Sequence, residues 1–107
     1  MIFDRGSVGM TQEKYDDMNY YMGKVDMRSF RGTGYYELTV AKPSKKEEFK
    51  AKYDLDVKTV DEVLDNWKNS KYLRRLKGRV FIHREIEFDV WHELKHQNYS
   101  VTCWTKL

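Results

Sequence analysis

The stretch SKKEEFKAKYDLDVKTVDEVLDNWKNSKYLRRLKGRVFIHR, residues 44–84, decides how this chain folds, because its character changes twice along its length. Ser44 is followed three residues later by Glu47, and Thr59 three residues later by Glu62. Both spacings fit a capping box, in which a hydroxyl and a carboxylate satisfy the unpaired amides of a first helical turn. Two helices are expected to begin there. From Asn66 to Arg84 every charged residue is positive: Lys68, Lys71, Arg74, Arg75, Lys77, Arg79 and Arg84. A polyanion would be expected to bind along this run.

Within the first of these helices, Lys45 to Tyr53, Phe49 and Tyr53 stand one turn apart and the lysines face water. Val60, Val63, Leu64 and Trp67 form the apolar stripe of the second. Beyond Trp67 the stripe fails, because Tyr72, Leu73 and Leu76 fall on the other side of a helix continued from Val60. A break near Asn69 and Ser70 is expected, with Ser70 capping a short basic helix that Gly78 ends. From Arg79 to Trp91 the period becomes two: Val80, Ile82, Ile86, Phe88 and Val90 share a side that Arg84 interrupts. Tyr99, Val101, Cys103 and Leu107 repeat that pattern, so two strands are expected to pair as an antiparallel hairpin through a loop at His92 to Asn98.

Upstream, Tyr15, Met18, Met22 and Val25 recur at helical spacing, and Gly23 stands at the helix stop. Asp26 to Gly34, with Arg28, Arg31, Gly32 and Gly34, has the composition of a basic loop. Tyr35 to Ala41 alternates as a half-buried strand, with Tyr36, Leu38 and Val40 on one face and Tyr35, Glu37 and Thr39 on the other, until Pro43 ends it. Met1 to Met10 reads as a tail or an edge strand. The sum is an α+β domain in the order helix, strand, helix, helix, strand, loop, strand. Its small antiparallel sheet of about three strands is expected to carry helices on one face.

The 107 residues fit one domain across 1–107, and aromatic residues at 15% are too many bulky rings for a disordered chain. A net charge of +3 permits nucleic-acid binding without demanding it, so the clustering after Asn66 carries more weight than the sum. A lone cysteine, Cys103, excludes an internal disulfide and fits a reducing compartment, so a cytoplasmic location is expected. The first ten residues include Asp4 and lack an apolar run of leader length. No segment reaches the roughly 20 apolar residues of a membrane span, so no membrane association is expected.

The expected order is similar to that of winged-helix DNA-binding domains. The segment Glu48 to Val60 resembles a helix-turn-helix, with Phe49, Tyr53, Leu55 and Val60 at its apolar positions. Lys50 and Asp54 stand where that family prefers alanine and glycine, and the second helix carries Asp61, Glu62 and Asp65. A second register, Ser70 to Val80, resembles the recognition helix and first wing strand of bacterial winged-helix regulators. The resemblance implies duplex DNA as ligand, with a helix in the major groove and a C-terminal hairpin as the wing.

His92-Glu93-Leu94-Lys95-His96 matches the H-E-x-x-H pattern of zinc hydrolases, although its flanks alternate as strands do and His83 is the only other histidine. Gly32 to Gly34 is too short for a phosphate loop, and the neighbouring carboxylates Asp16-Asp17 and Glu47-Glu48 point apart on a helix. Neither catalysis nor a cofactor is expected. Phe81, Trp91 and Trp104 fall on the sheet face opposite Val80, Ile82 and Val101, where rings beside cations can stack bases or anchor a protein partner or a second copy of the chain. The Tyr-, Met- and Trp-rich, highly charged composition also looks like that of small phage-encoded proteins that dock on and disable a host enzyme. The expected function is therefore regulatory nucleic-acid binding. A protein-binding inhibitor is the alternative, and an H-E-x-x-H hydrolase a remote one.

Overall fold

The computed structural model of the protein describes residues 2–4, 11–30, 32–41 and 45–104, with the backbone alone for 2–4 and Trp104. Arg31, Pro43, Ser44, Leu107 and the side chain of Trp104, all used above, lie outside the described residues. In chain order the elements are β1 (Ile2–Asp4), α1 (Gln12–Asp17, continued by a π-helical turn Met18–Met22), β2 (Lys24–Ser29), β3 (Tyr35–Val40), α2 (Lys46–Tyr53), α3 (Val60–Leu64, continued by a 3-10 turn Asp65–Trp67), β4 (Leu73–Leu76), β5 (Arg79–His83), α4 (Arg84–His96) and β6 (Ser100–Trp104).

One sheet runs β1-β6-β2-β3-β5-β4, antiparallel throughout except that β6 lies parallel to β2. The α+β class stands, but among the described residues the sheet is six-stranded and mixed rather than three-stranded and antiparallel, and the expected order of helix, strand, helix, helix, strand, strand is not matched. Two strands come from segments read otherwise. Lys24–Ser29, mostly assigned to a loop, buries Val25 and Met27 in strict alternation. Leu73–Leu76, assigned to a basic helix, is an edge strand.

The correction at 70–83 has a local cause. Lys77 and Gly78 both adopt positive φ, 51° and 78°, which is the two-residue turn that matches the twist of a β-hairpin. Gly78 thus closes a hairpin instead of ending a helix. Ser70 does not cap a helix either; its hydroxyl accepts the amide of Tyr72 at 3.1 Å, a turn-forming bond that competes with helix. The second correction is α4, read as the end of a strand and a loop. Ile86, Val90 and Leu94, spaced four apart, are its buried stripe, and the His83 Nδ1 accepts the Glu85 amide at 3.1 Å as its N-cap. Arg84, which broke the two-residue pattern, is the first residue of this helix.

The segment resembling a helix-turn-helix falls on α2, on Asp54 in the left-handed conformation (φ 53°) and on the start of α3. The Thr59 capping box is formed, its hydroxyl accepting the Glu62 amide and the Glu62 carboxylate accepting the Thr59 amide, both at 3.2 Å. The N-cap of α2 is Lys45, without a side-chain cap bond, and Glu47 pairs with Lys46 at 3.0 Å.

All helices pack on one face. Val25, Met27, Leu38, Ile82, Val101 and Cys103 from the sheet meet Met18, Met22, Phe49, Val63, Leu64, Ile86, Val90 and Leu94 from the helical layer. Tyr99 is fully buried at the start of β6, and its hydroxyl donates to the Lys58 carbonyl at 2.9 Å, tying that strand to the entry of α3. Asp17 joins α1 to α2, accepting from the Tyr53 hydroxyl and from Lys52 Nζ at 2.7 Å.

Two expectations follow. Lys77→Asn, which suits the left-handed conformation better than lysine, should raise the urea-unfolding free energy by about 0.5–1 kcal/mol, whereas a helix at 70–78 would be weakened by it. Lys52, then Tyr53, hold the Asp17 carboxyl below its ordinary value, so its stabilisation is present above that value and is lost as pH falls through the lower folded one. Asp17→Asn should therefore be less stable than wild type at neutral pH, with the gap closing below about pH 4; a gap constant with pH would contradict it.

Candidate functional site

Among the described residues helices cover only one side of the sheet, so the other side chains of β2 to β6 form an open face. By register it carries Thr102 on β6, Lys24, Asp26 and Arg28 on β2, Tyr35, Glu37 and Thr39 on β3, Arg79, Phe81 and His83 on β5, and Arg74 and Leu76 on β4. Trp104, described by its backbone alone, pairs with Arg28 in the register of β6 and β2.

At its centre the rings and guanidinium groups converge. Phe30 leaves β2 into the turn, where its amide donates to the Tyr35 carbonyl at 2.8 Å. The Thr33 hydroxyl donates to the Phe30 carbonyl at 3.0 Å and accepts the Tyr35 amide at 3.1 Å. This turn holds the Phe30 ring, 40% exposed, 5.5 Å from that of Phe81. Arg79 lies 5.1 Å from the Phe81 ring centre and 5.8 Å from that of Phe30. Arg74 lies 5.9 Å from the Tyr35 ring, and its Nε donates to the Tyr35 hydroxyl at 3.1 Å. Phe30, Thr33, Tyr35, Arg74, Arg79 and Phe81 line a shallow pocket of about 280 Å³.

Glu37 sits between Arg28 and Phe81 by strand pairing and takes the Arg79 fork on both oxygens at 2.8 Å. Arg79, and more weakly Arg28, hold its carboxyl below the usual range against the opposing effect of partial burial. At the far end His83 packs edge-on to Tyr35 at 5.0 Å and beside Tyr72 at 5.1 Å. The Gly34 carbonyl accepts the Arg84 amide at 2.8 Å, so the β2–β3 turn is anchored to the start of α4.

The seven cations of the basic run do not share one surface. Arg74 and Arg79 stand on the open face, while Arg75 points to the helical side and pairs with Asp61 at 3.3 Å. Lys77 occupies the hairpin turn, Lys68 and Lys71 lie in the connection after α3, Lys71 sits over the Tyr72 ring at 5.2 Å, and Arg84 opens α4. Phe81 is on the open face as expected. Trp91 is on α4, half-buried against the core, because its segment is helix rather than strand. The loop expected at His92 to Asn98 is the end of α4, and His92 and His96 are exposed along it. Among the described residues no group of three or more His, Cys, Asp or Glu side chains is arranged to hold a metal ion.

Sequence reasoning missed Phe30, Arg28 and Arg74 as neighbours. The alternation of Tyr35, Glu37 and Thr39 was the available signal for the face. A larger groove of about 630 Å³ between α3 and the ends of β3 and β5 is walled mainly by Leu38, Val40, Val60, Leu64 and Val80, and the acids at its rim, Glu37 and Asp61, are engaged by Arg79 and Arg75. No family model, curated protein or solved structure matches the chain. No helix among the described residues is long and apolar enough to cross a membrane.

Gly34 has φ +78°, and a Cβ there would stand 3.1 Å from His83 Nε2. Gly34→Ala should destabilise the fold by about 1–3 kcal/mol, read as a lowered thermal midpoint; an unchanged midpoint would mean that the turn is not held as described.

Proposed function

We propose that this protein binds unpaired nucleic acid on the open face of its sheet. The observation that carries the reading is the interleaving of Phe30, Tyr35 and Phe81 with Arg74 and Arg79 around one shallow pocket. Aromatic rings on an accessible sheet stack unpaired bases at about 1–3 kcal/mol per base, and neighbouring arginines take the phosphates. The rings fit this role better than they fit a solvated face, where nothing would favour three of them beside two guanidinium groups.

Duplex binding through a basic helix loses its support, because residues 73–83 form a hairpin. Helix α4 is no substitute: Glu85, Glu87, Asp89 and Glu93 would oppose entry into a groove lined by phosphates. A protein partner remains the second reading, favoured by Phe88, which is 60% exposed on α4 and 5.4 Å from the Trp91 ring. The role is regulatory rather than catalytic, and the buried Cys103 thiol suits a reducing, cytoplasmic setting.

Fluorescence anisotropy with labelled oligouridine or oligothymidine of about 15 nucleotides, beside a duplex of equal length, tests the reading. Phe81→Ala and Tyr35→Ala should each weaken single-strand binding by about 5- to 100-fold, with circular dichroism unchanged, while Phe88→Ala leaves it intact. Absence of single-strand affinity at low salt, or tighter binding of duplex than of single strand, would refute it. Recovery of one stoichiometric protein from nuclease-treated lysate, with no affinity for nucleic acid, would favour the second reading.

A further inference from the structure

Glu37 occupies the arginine that stands among the rings of the open face. It lies mid-strand on β3, paired across the sheet with Arg28 on one side and Phe81 on the other. Both of its oxygens engage Arg79, at Nε and Nη2, each at 2.8 Å, in the bidentate geometry that guanidinium also offers to phosphate. The carboxylate is the covered partner, its side chain 18% exposed against 54% for Arg79. The guanidinium is thereby drawn across Phe81 and Phe30. The open face carries four described cations, Lys24, Arg28, Arg74 and Arg79, against two carboxylates, Asp26 and Glu37.

We infer that Glu37 sets specificity, acting as a built-in competitor for phosphate at Arg79 that selects unpaired strands over duplex. A ligand that offers phosphates alone must displace the carboxylate from Arg79 and gains no stacking in return. One that offers bases as well can stack on Tyr35, or on the guanidinium plane of Arg79 while it stays fastened to Glu37, and needs only Arg74 for its phosphate. Penalising the wrong ligand is as effective for discrimination as rewarding the right one. The inference rests on the single-strand reading above and adds to it the residue that decides between nucleic-acid forms.

The test compares wild type, Glu37→Gln, Arg79→Gln and the double variant, each titrated by anisotropy with labelled oligothymidine and with a duplex of equal length, over a range of salt. Glu37→Gln should tighten duplex binding at least about 5-fold and single-strand binding less than about 2-fold. The duplex salt slope should steepen by about one phosphate contact. Both changes should vanish when Arg79 is also replaced. Glu37→Thr, a residue suited to a strand, repeats the measurement if the glutamine variant melts early. Unchanged or weakened duplex binding by a folded Glu37 variant overturns the inference, as does tightening that persists without Arg79. If single strands bind wild type and Phe81→Ala weakens them, those results remove the inference alone. If neither wild type nor Glu37→Gln binds single strands, the functional reading falls and the inference with it.

Discussion

The pairing of β3 with β5 is the constraint on which the rest of the molecule hangs. Leu38 stands opposite Val80 and Tyr36 opposite Ile82 on the covered side, which leaves Glu37 opposite Phe81 and Tyr35 opposite His83 on the other. A slip of one residue would exchange the two sets. Glu37 would then enter the apolar layer beside Leu64 and Val90, where an unpaired carboxylate is far costlier than the exposure of one leucine. Core and open face are therefore fixed by one register, and the rings that could stack a ligand stand on the open face because the aliphatic residues between them are buried.

How much of this could be read from the chain depends on which signal each segment carries. The strand at Tyr35 to Val40 was legible because its two faces differ sharply, and the helix of Val60 because its capping box and tight apolar stripe agree. The run from Ser70 to Gly78 was not. Its residues suit a helix by propensity, and a glycine after basic residues ends helices and closes hairpins alike; what decides is the left-handed Lys77 before it, a conformation that no sequence pattern marks for lysine. Helix α4 was hidden differently. Ile86, Phe88 and Val90 satisfy a two-residue period while Ile86, Val90 and Leu94 satisfy a helical one, and only the length of the segment and the His83 cap separate them.

The same reassignments redistribute the charge. A helix at 70–78 would have gathered the cations of the basic run; a strand sends alternate ones to opposite sides. Arg75 thereby reaches Asp61 on α3, and Arg74 joins Tyr35 on the open face. Arg75 and Arg79 are engaged by acids more than twelve residues away in sequence, Asp61 and Glu37, which composition along the chain cannot reveal. The edge position of β4 gives its charge a second consequence. An unpaired strand edge invites another chain, and Arg74, Arg75 and Lys77 along it discourage edge-to-edge pairing between copies.

Charge is also divided between the two layers. Helix α4 lies over the inner face, so its exposed acids Glu85 and Asp89 stand on the side away from Arg28, Arg74 and Arg79. A small net charge of +3 therefore conceals a molecule with one basic face and one acidic helix. In the field of a polyanion such a body is turned as well as attracted, because the potential acts on the separation of charge and not only on its sum. On the proposed reading, the orientation it favours would present Phe30, Tyr35 and Phe81 before contact is made. Within about one Debye length, 8–10 Å at ordinary ionic strength, the long-range pull gives way to local pairing. There Glu37 already neutralises the Arg79 guanidinium, so on the proposed reading stacking on the rings, rather than charge, would decide what stays bound.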